Sequence, residues 1–210
     1  KTPRVAGASE SSVREGRDAH MGSALSLSYK TPLHIVRGRG QFLFSEDDRP
    51  YLDLVNNVCH VGHCHPHVIA ALAAQAEELN TNTRYLHANV VEYAKRLTET
   101  MPDGLDTCFF VNSGTEAIEL ALRLARETTE ANDVVVLEGA YHGSSGNCIE
   151  MSPYKFNGPG GKGCPDWVHV AVAPVIYRGE HRGSDAGDRY AQDVGRAIGE
   201  APSIAAFLAE

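Results

Sequence analysis

The chain has 210 residues, 42% of them hydrophobic and 22% charged, with a formal net charge of −8. That is enough apolar sequence for one ordinary core, and the acidic balance argues against nucleic acid or an anionic membrane as the main partner. No apolar run reaches the roughly 20 residues that span a bilayer, and neither a basic run nor a signal-peptide pattern occurs. The five cysteines, Cys59, Cys64, Cys108, Cys148 and Cys164, are odd in number and irregular in spacing. They argue against a disulfide framework and point to a reducing, cytoplasmic setting.

Residues 1–28 read as a polar linker or a surface helix, with Ser9-Glu10-Ser11-Ser12 and scattered charge. Three short strands follow, over 33–38, 41–44 and 51–55, broken by Gly38-Arg39-Gly40 and by a polar turn over 45–50. They predict a small antiparallel meander. Next, four His and two Cys crowd into the nine residues 59–67. Those side chains suit zinc, but structural zinc ligands usually come as two separated pairs, and here all sit in one loop. A helix is expected over 67–79, with Pro66 at its first position and Val68, Ala71, Leu72 and Gln75 at helical spacing. After a polar loop over 79–87, a second helix over 89–100 carries Val90, Tyr93, Ala94 and Leu97 on one face. Met101-Pro102-Asp103-Gly104 ends it.

The central stretch is Cys108-Phe109-Phe110-Val111, read as a buried strand, then the turn Asn112-Ser113-Gly114-Thr115, then a helix to about Glu127. Ser113 and Glu116 fit a capping box, which starts the helix at Ser113. Its apolar positions run nearly all round, so it is expected to be mostly buried. A strand, a small polar turn and a helix start can form an anion site from free N–H groups and hydroxyls; a plain capped helix has the same spacing. Residues 133–139 read as a parallel-type strand, and with the strand at 108–111 they predict a βαβ unit. Ligands then belong at the carboxyl ends of the strands, where Ser113-Gly114-Thr115 and Tyr141-His142-Gly143 both fall. A Gly-rich surface loop over 158–163, a strand over 167–173, a helix over 190–198 and a strand over 203–209 complete the chain. The sequence starts without Met and stops in an apolar run, as an excerpt of a longer protein would.

Three motifs in order carry a resemblance. Asn112-Ser113-Gly114-Thr115-Glu116-Ala117 with Leu120-Ala121-Leu122-Arg123-Leu124-Ala125-Arg126 resembles the phosphate-cup helix of the class III aminotransferases. Tyr141-His142-Gly143 resembles that family's turn after the next strand, and Gly62-His63-Cys64-His65-Pro66 its earlier loop. The family's members are pyridoxal-phosphate enzymes of fold type I. The resemblance implies an α/β fold: a large domain of mostly parallel sheet with flanking helices over 56–210, preceded by a small antiparallel N-terminal segment over 29–55. It implies that Ser113, Gly114 and Thr115 bind the cofactor phosphate, that Tyr141 stacks on its ring and that His142 orders the same turn. The Schiff-base lysine and the carboxylate for the pyridine nitrogen would lie downstream, so no catalytic residue is assigned within the chain. A homodimer is expected, because the family builds its site across a subunit interface.

A longer match covers the segments 80–87 and 152–156 and the triplet Tyr177-Arg178-Gly179. It resembles the phospho-lyase branch, which eliminates phosphate and ammonia from small phospho-amines. Arg84, Lys155 and Arg178 are then candidates for binding substrate phosphate. The sequence departs from that branch at Ile118-Glu119 and lacks its Asp before Tyr177. The expected function is a pyridoxal-phosphate enzyme acting on a small primary amine, by transamination or by phospho-elimination. The alternatives are a non-catalytic or incomplete fragment lacking the Schiff-base lysine, and a zinc module on the His/Cys loop.

Overall fold

The computed structural model describes residues 8–55, 60–82 and 84–210. It divides into two units, Lys1–Asn89 and Val90–Glu210, each taken by itself below. Residues 1–7 of the polar N-terminal segment, 56–59 of the His/Cys loop (with Cys59) and Thr83 of the polar loop lie outside the described residues.

In the first unit, the polar N-terminal stretch contains a helix, α1 (Glu10–His20). Ser9 caps it by accepting the Ser12 N–H, Glu10 sits in its first turn, and Arg17 and His20 sit in its last. Those charges suit the helix dipole, and the helix buries none of its residues. The meander follows as β1 (Ile35–Arg39), β2 (Phe42–Ser45) and β3 (Pro50–Leu52), antiparallel in the order β1-β2-β3. The third strand ends three residues earlier than the sequence pattern predicts. The Asp53 carboxylate accepts the Val55 N–H at 3.1 Å, a local turn that takes the chain out of the ladder. Asp53 also holds His63 Nε2 at 2.6 Å, and Gly40 and His63 exchange backbone hydrogen bonds. A Cβ on Gly38 would come within 2.8 Å of His63 Cβ, so the loop packs directly on the meander. Among the described residues, no group of three or more His, Cys, Asp or Glu side chains converges as a metal site would. Helix α2 (Pro66–Glu78) begins at Pro66, and α3 (Ala88–Thr98) runs across the boundary between the units.

The second unit contains α4 (Gly114–Thr129), β4 (Asp133–Leu137), α5 (Gly146–Glu150), α6 (Pro153–Phe156), β5 (Val168–Ala171), α7 (Ala186–Glu200) and β6 (Ile204–Leu208). Its three strands are parallel, in the order β5-β4-β6. The run Val134-Val135-Val136-Leu137 is apolar without alternation because β4 is central and covered on both faces. Val134 and Val136 join Leu122, Cys148, Met151, Phe156 and Val168 on the side of α4, α5 and α6. Val135 and Leu137 join Ala171 and, from α7, Val194 and Ala197 on the other. The crossover β5–α7–β6 steps over β4.

Two sequence expectations are corrected here. Cys108-Phe109-Phe110-Val111 forms no strand, and Phe109, Phe110 and Val111 are exposed. A strand requires a ladder, and among the described residues this segment pairs with none of β4, β5 and β6. Phe110 instead stacks on Tyr93, with ring centres 5.0 Å apart. The expected βαβ unit through α4 is therefore replaced by the one through α7. Helix α4 is also less buried than its composition suggests. Only Leu122 is fully buried: Ile118 packs partly buried against the same cluster, while Ala117, Ala121 and Leu124 are exposed.

Candidate active site

Because β4, β5 and β6 are parallel, their carboxyl ends share one edge of the sheet. The segment after β4 carries Tyr141-His142-Gly143, and Glu210 follows β6.

Ser113 caps α4: its hydroxyl accepts the Glu116 N–H at 3.1 Å. The reciprocal bond of a capping box goes one residue further back than usual. The Glu116 carboxylate takes the Asn112 N–H at 2.7 Å and the Asn112 amide nitrogen at 3.1 Å. The turn is thereby fixed from both sides. Thr115 Oγ1 accepts the Ser144 N–H at 3.2 Å. Both hydroxyls use an acceptor lone pair on a backbone N–H, which leaves each O–H to donate. Gly114 and Thr115 lie in the first turn of α4, so their N–H groups have no intrahelical carbonyl. A Cβ built on Gly114 meets nothing within 4 Å, so the backbone there is open to a ligand. The whole arrangement donates, at the positive end of a helix of 16 residues.

The Tyr141 turn is locked against this helix start. Gly143 has φ +134°, and a Cβ there would stand 2.5 Å from Thr115 Oγ1 and 3.0 Å from Cys148 Cβ. Only glycine allows that approach. The Tyr141 hydroxyl shares a 2.6 Å hydrogen bond with Ser144 Oγ, and the Tyr141 N–H donates to the Glu210 carboxylate at 2.9 Å. His142 is buried, and its backbone N–H donates to Ser152 Oγ at 2.8 Å. The Ser152 hydroxyl in turn donates to the Cys148 carbonyl. His142 Nε2 is buried and has no hydrogen-bond partner among the described residues. Burial pushes the imidazole below its usual 6.5, against an opposing pull from Glu210, so the ring is held neutral.

The structure links Ser113, Gly114, Thr115, Tyr141 and His142 through Ser144 and Gly143. Lys155 joins them: its Nζ lies 5.3 Å from the Tyr141 ring centre and 5.5 Å from that of Tyr154. Arg178 is exposed on the segment between β5 and α7, and its carbonyl accepts from Arg182 Nη2 at 3.4 Å. No described contact joins its side chain to the α4 start. Arg84 belongs to the first unit, exposed in the bend before α3.

Sequence reasoning missed three residues here. Ser144 bridges Thr115 and Tyr141, Ser152 anchors His142, and Glu119 ties α4 to α5. The Glu119 carboxylate accepts from the Ser145 hydroxyl, and from Asn147 Nδ2 at 2.8 Å. Its spacing of four from Thr115 puts both on one helix face, a signal visible in the sequence. The serines are set by contacts across 10 and 29 residues, which no local pattern marks.

The family model for class III aminotransferases matches residues 26–210. The chain belongs to the class III aminotransferases. It is 48% identical over 204 residues to an alanine–glyoxylate aminotransferase 2-like protein of Drosophila melanogaster, covering 92% of this chain and 41% of the relative. It is 38% identical over 218 residues to ethanolamine-phosphate phospho-lyase homolog 1 of Caenorhabditis elegans, covering 96% and 46%. Among solved structures it is similar to a phospholyase from Arthrobacter in complex with phosphoethanolamine. The TM-score is 0.81 at 33% identity, over 94% of this chain and 47% of that one. The chain thus spans a little under half the length of these relatives. The fold is that of the type I pyridoxal-phosphate enzymes, and the family's cofactor is pyridoxal phosphate.

Proposed function

We propose that the α4 start is the phosphate cup of a pyridoxal-phosphate enzyme that acts on a small primary amine. One observation carries the reading: two hydroxyls, Ser113 and Thr115, have their acceptor sides satisfied by backbone N–H groups and flank the open backbone at Gly114. That donor set fits a phosphate dianion, and the neighbouring Glu116 carboxylate is taken up by Asn112. Ser113, Gly114 and Thr115 would hold the phosphate, Tyr141 would lie against the ring, and His142 would keep the turn in place. When bound, the cofactor supplies an electron sink for the carbon bearing the amine. The protein's part is to hold the phosphate, orient the ring and exclude water. The Schiff-base lysine is assigned to no residue of this chain.

Lys155, Arg178 and Arg84 are the cations proposed to meet an anionic substrate, Lys155 with the best support because it lies beside Tyr141. The reaction is transamination or phospho-elimination, the chemistries in the names of the fly and nematode relatives. A homodimer is part of the reading, as are the small-domain segment over 29–55 and the large domain from 56. So is a cytoplasmic location. Among the described residues, no helix is long and apolar enough to cross a membrane.

The test is an assay of the full-length protein with ethanolamine phosphate and, separately, with amino donors and a keto acid. Release of phosphate together with ammonia identifies the eliminase. Amino transfer without phosphate release identifies the transaminase. Neither product, from protein loaded with pyridoxal phosphate, would contradict the reading.

A further inference from the structure

We propose that Glu119 is a positioning residue for the cofactor, setting the seat of the Tyr141 turn on α4 although it does not itself reach the cup. The inference rests on the reading of the α4 start as a phosphate cup. Glu119 lies one turn after Thr115 on the same face of α4. One carboxylate oxygen takes the Ser145 hydroxyl and the other takes Asn147 Nδ2 at 2.8 Å. Ser145 is the N-cap residue of α5, yet its side chain makes no capping hydrogen bond to its own helix. Serine at that position normally caps. Here the hydroxyl is diverted to Glu119, and a local preference given up in this way calls for a gain elsewhere.

The gain is a second bolt between the same two pieces of chain. At the upper level, the Ser144 N–H sits on Thr115 Oγ1 and Gly143 packs against the same side chain. At the lower level, Ser145 and Asn147 sit on Glu119. Ser144 also holds the Tyr141 hydroxyl at 2.6 Å. Releasing Ser145 therefore loosens the residue that positions both a cup hydroxyl and the ring proposed to stack on the cofactor. Burial alone would raise the Glu119 carboxyl, but the hydrogen bonds from Ser145 and Asn147 outweigh it and hold the group below its usual 4.5. The bolt is thus a carboxylate at neutral pH.

The test uses full-length protein, stripped of cofactor and folded, with Glu119→Ala, Glu119→Gln, Ser145→Ala and the double Ala variant. Equilibrium dialysis gives the dissociation constant of pyridoxal phosphate, and melting of the cofactor-free protein gives stability. Glu119→Ala should weaken binding about tenfold, the usual scale for a residue supporting a ligand-binding shell. Glu119→Gln, which keeps one acceptor oxygen, should recover part of it. Ser145→Ala should reproduce the loss, and the double variant should add nothing further. A lowered melting temperature with an unchanged dissociation constant in all variants would mean a merely structural Glu119 and would overturn the proposal. If Glu119→Ala does not fold, Ser145→Ala alone decides. Should the parent protein not bind pyridoxal phosphate at all, the cup reading itself fails. If instead Thr115→Ala weakens binding and the Glu119 and Ser145 variants do not, only this inference fails.

Discussion

The backbone N–H of Ser144 rests on the Thr115 hydroxyl at 3.2 Å, across 29 residues of sequence. That bond makes one structure of two motifs that the sequence presents separately, the helix start and the turn after β4. It also fixes the hydroxyl's orientation, since a lone pair held by an N–H leaves the proton directed elsewhere.

Thr115 should accordingly matter more to the ligand than to the fold. Thr115→Ala removes the donor and the seat of Ser144 together. A hydrogen bond to a charged group contributes about 1.5–3 kcal/mol, so affinity for pyridoxal phosphate should fall by about tenfold or more. Thr115→Ser keeps the hydroxyl and should restore most of it. Equilibrium dialysis of both variants checks the pair.

Gly143 and Gly114 should respond in opposite ways. An alanine at Gly143 would sit 2.5 Å from Thr115 Oγ1 at φ +134°. The backbone strain alone costs about 1–3 kcal/mol, so the melting temperature and cofactor binding should both drop. At Gly114 a methyl group meets no protein atom within 4 Å, so Gly114→Ala should fold with unchanged stability. If the open backbone there is where phosphate approaches, the same variant should bind the cofactor more weakly. Melting curves and binding isotherms on the two variants separate the cases.

His142 predicts a pH dependence. Its folded pKa lies below the unfolded 6.5, so between the two values the unfolded chain binds more protons than the folded one. Stability should therefore be complete above about 6.5 and decline as pH falls from there towards the folded value. Unfolding by denaturant at a series of pH values would show this slope, and His142→Gln should flatten it.

Leu122 is the one fully buried residue of α4 and packs against Val134, Val136 and Met151. Leu122→Ala should destabilise by about 2–5 kcal/mol, the range for truncating a core leucine. Denaturant midpoints measure it.

Local signals were readable from the chain alone. Pro66 opens α2, Ser113 caps α4, and the unbroken apolar run of β4 marks a strand covered on both faces. Partnership was not readable. Cys108-Phe109-Phe110-Val111 has the composition of a buried strand, but whether it becomes one depends on a neighbouring ladder that no local pattern encodes. For the same reason the all-round apolar α4 looked buried while the sheet covers a single stripe of it. In the candidate site, the motif residues on α4 and the β4 turn were legible, with the edge of the sheet that carries the turn. The supporting hydroxyls Ser144 and Ser152 were not, and neither was the Asp53–His63 pair that closes the His/Cys loop on the meander. These are contacts between distant segments, fixed only once the elements have packed.

The most direct test of the phosphate cup compares two ligands that differ in the phosphate alone. Full-length protein and its Ser113→Ala/Thr115→Ala variant would be titrated with pyridoxal phosphate and with pyridoxal, which lacks the phosphate. Two lost charge-assisted hydrogen bonds should weaken pyridoxal phosphate by about a hundredfold, and pyridoxal, which feels only the loosened Tyr141 turn, much less. Equal weakening of both ligands, or of neither, would contradict the assignment of Ser113 and Thr115 to the cofactor phosphate.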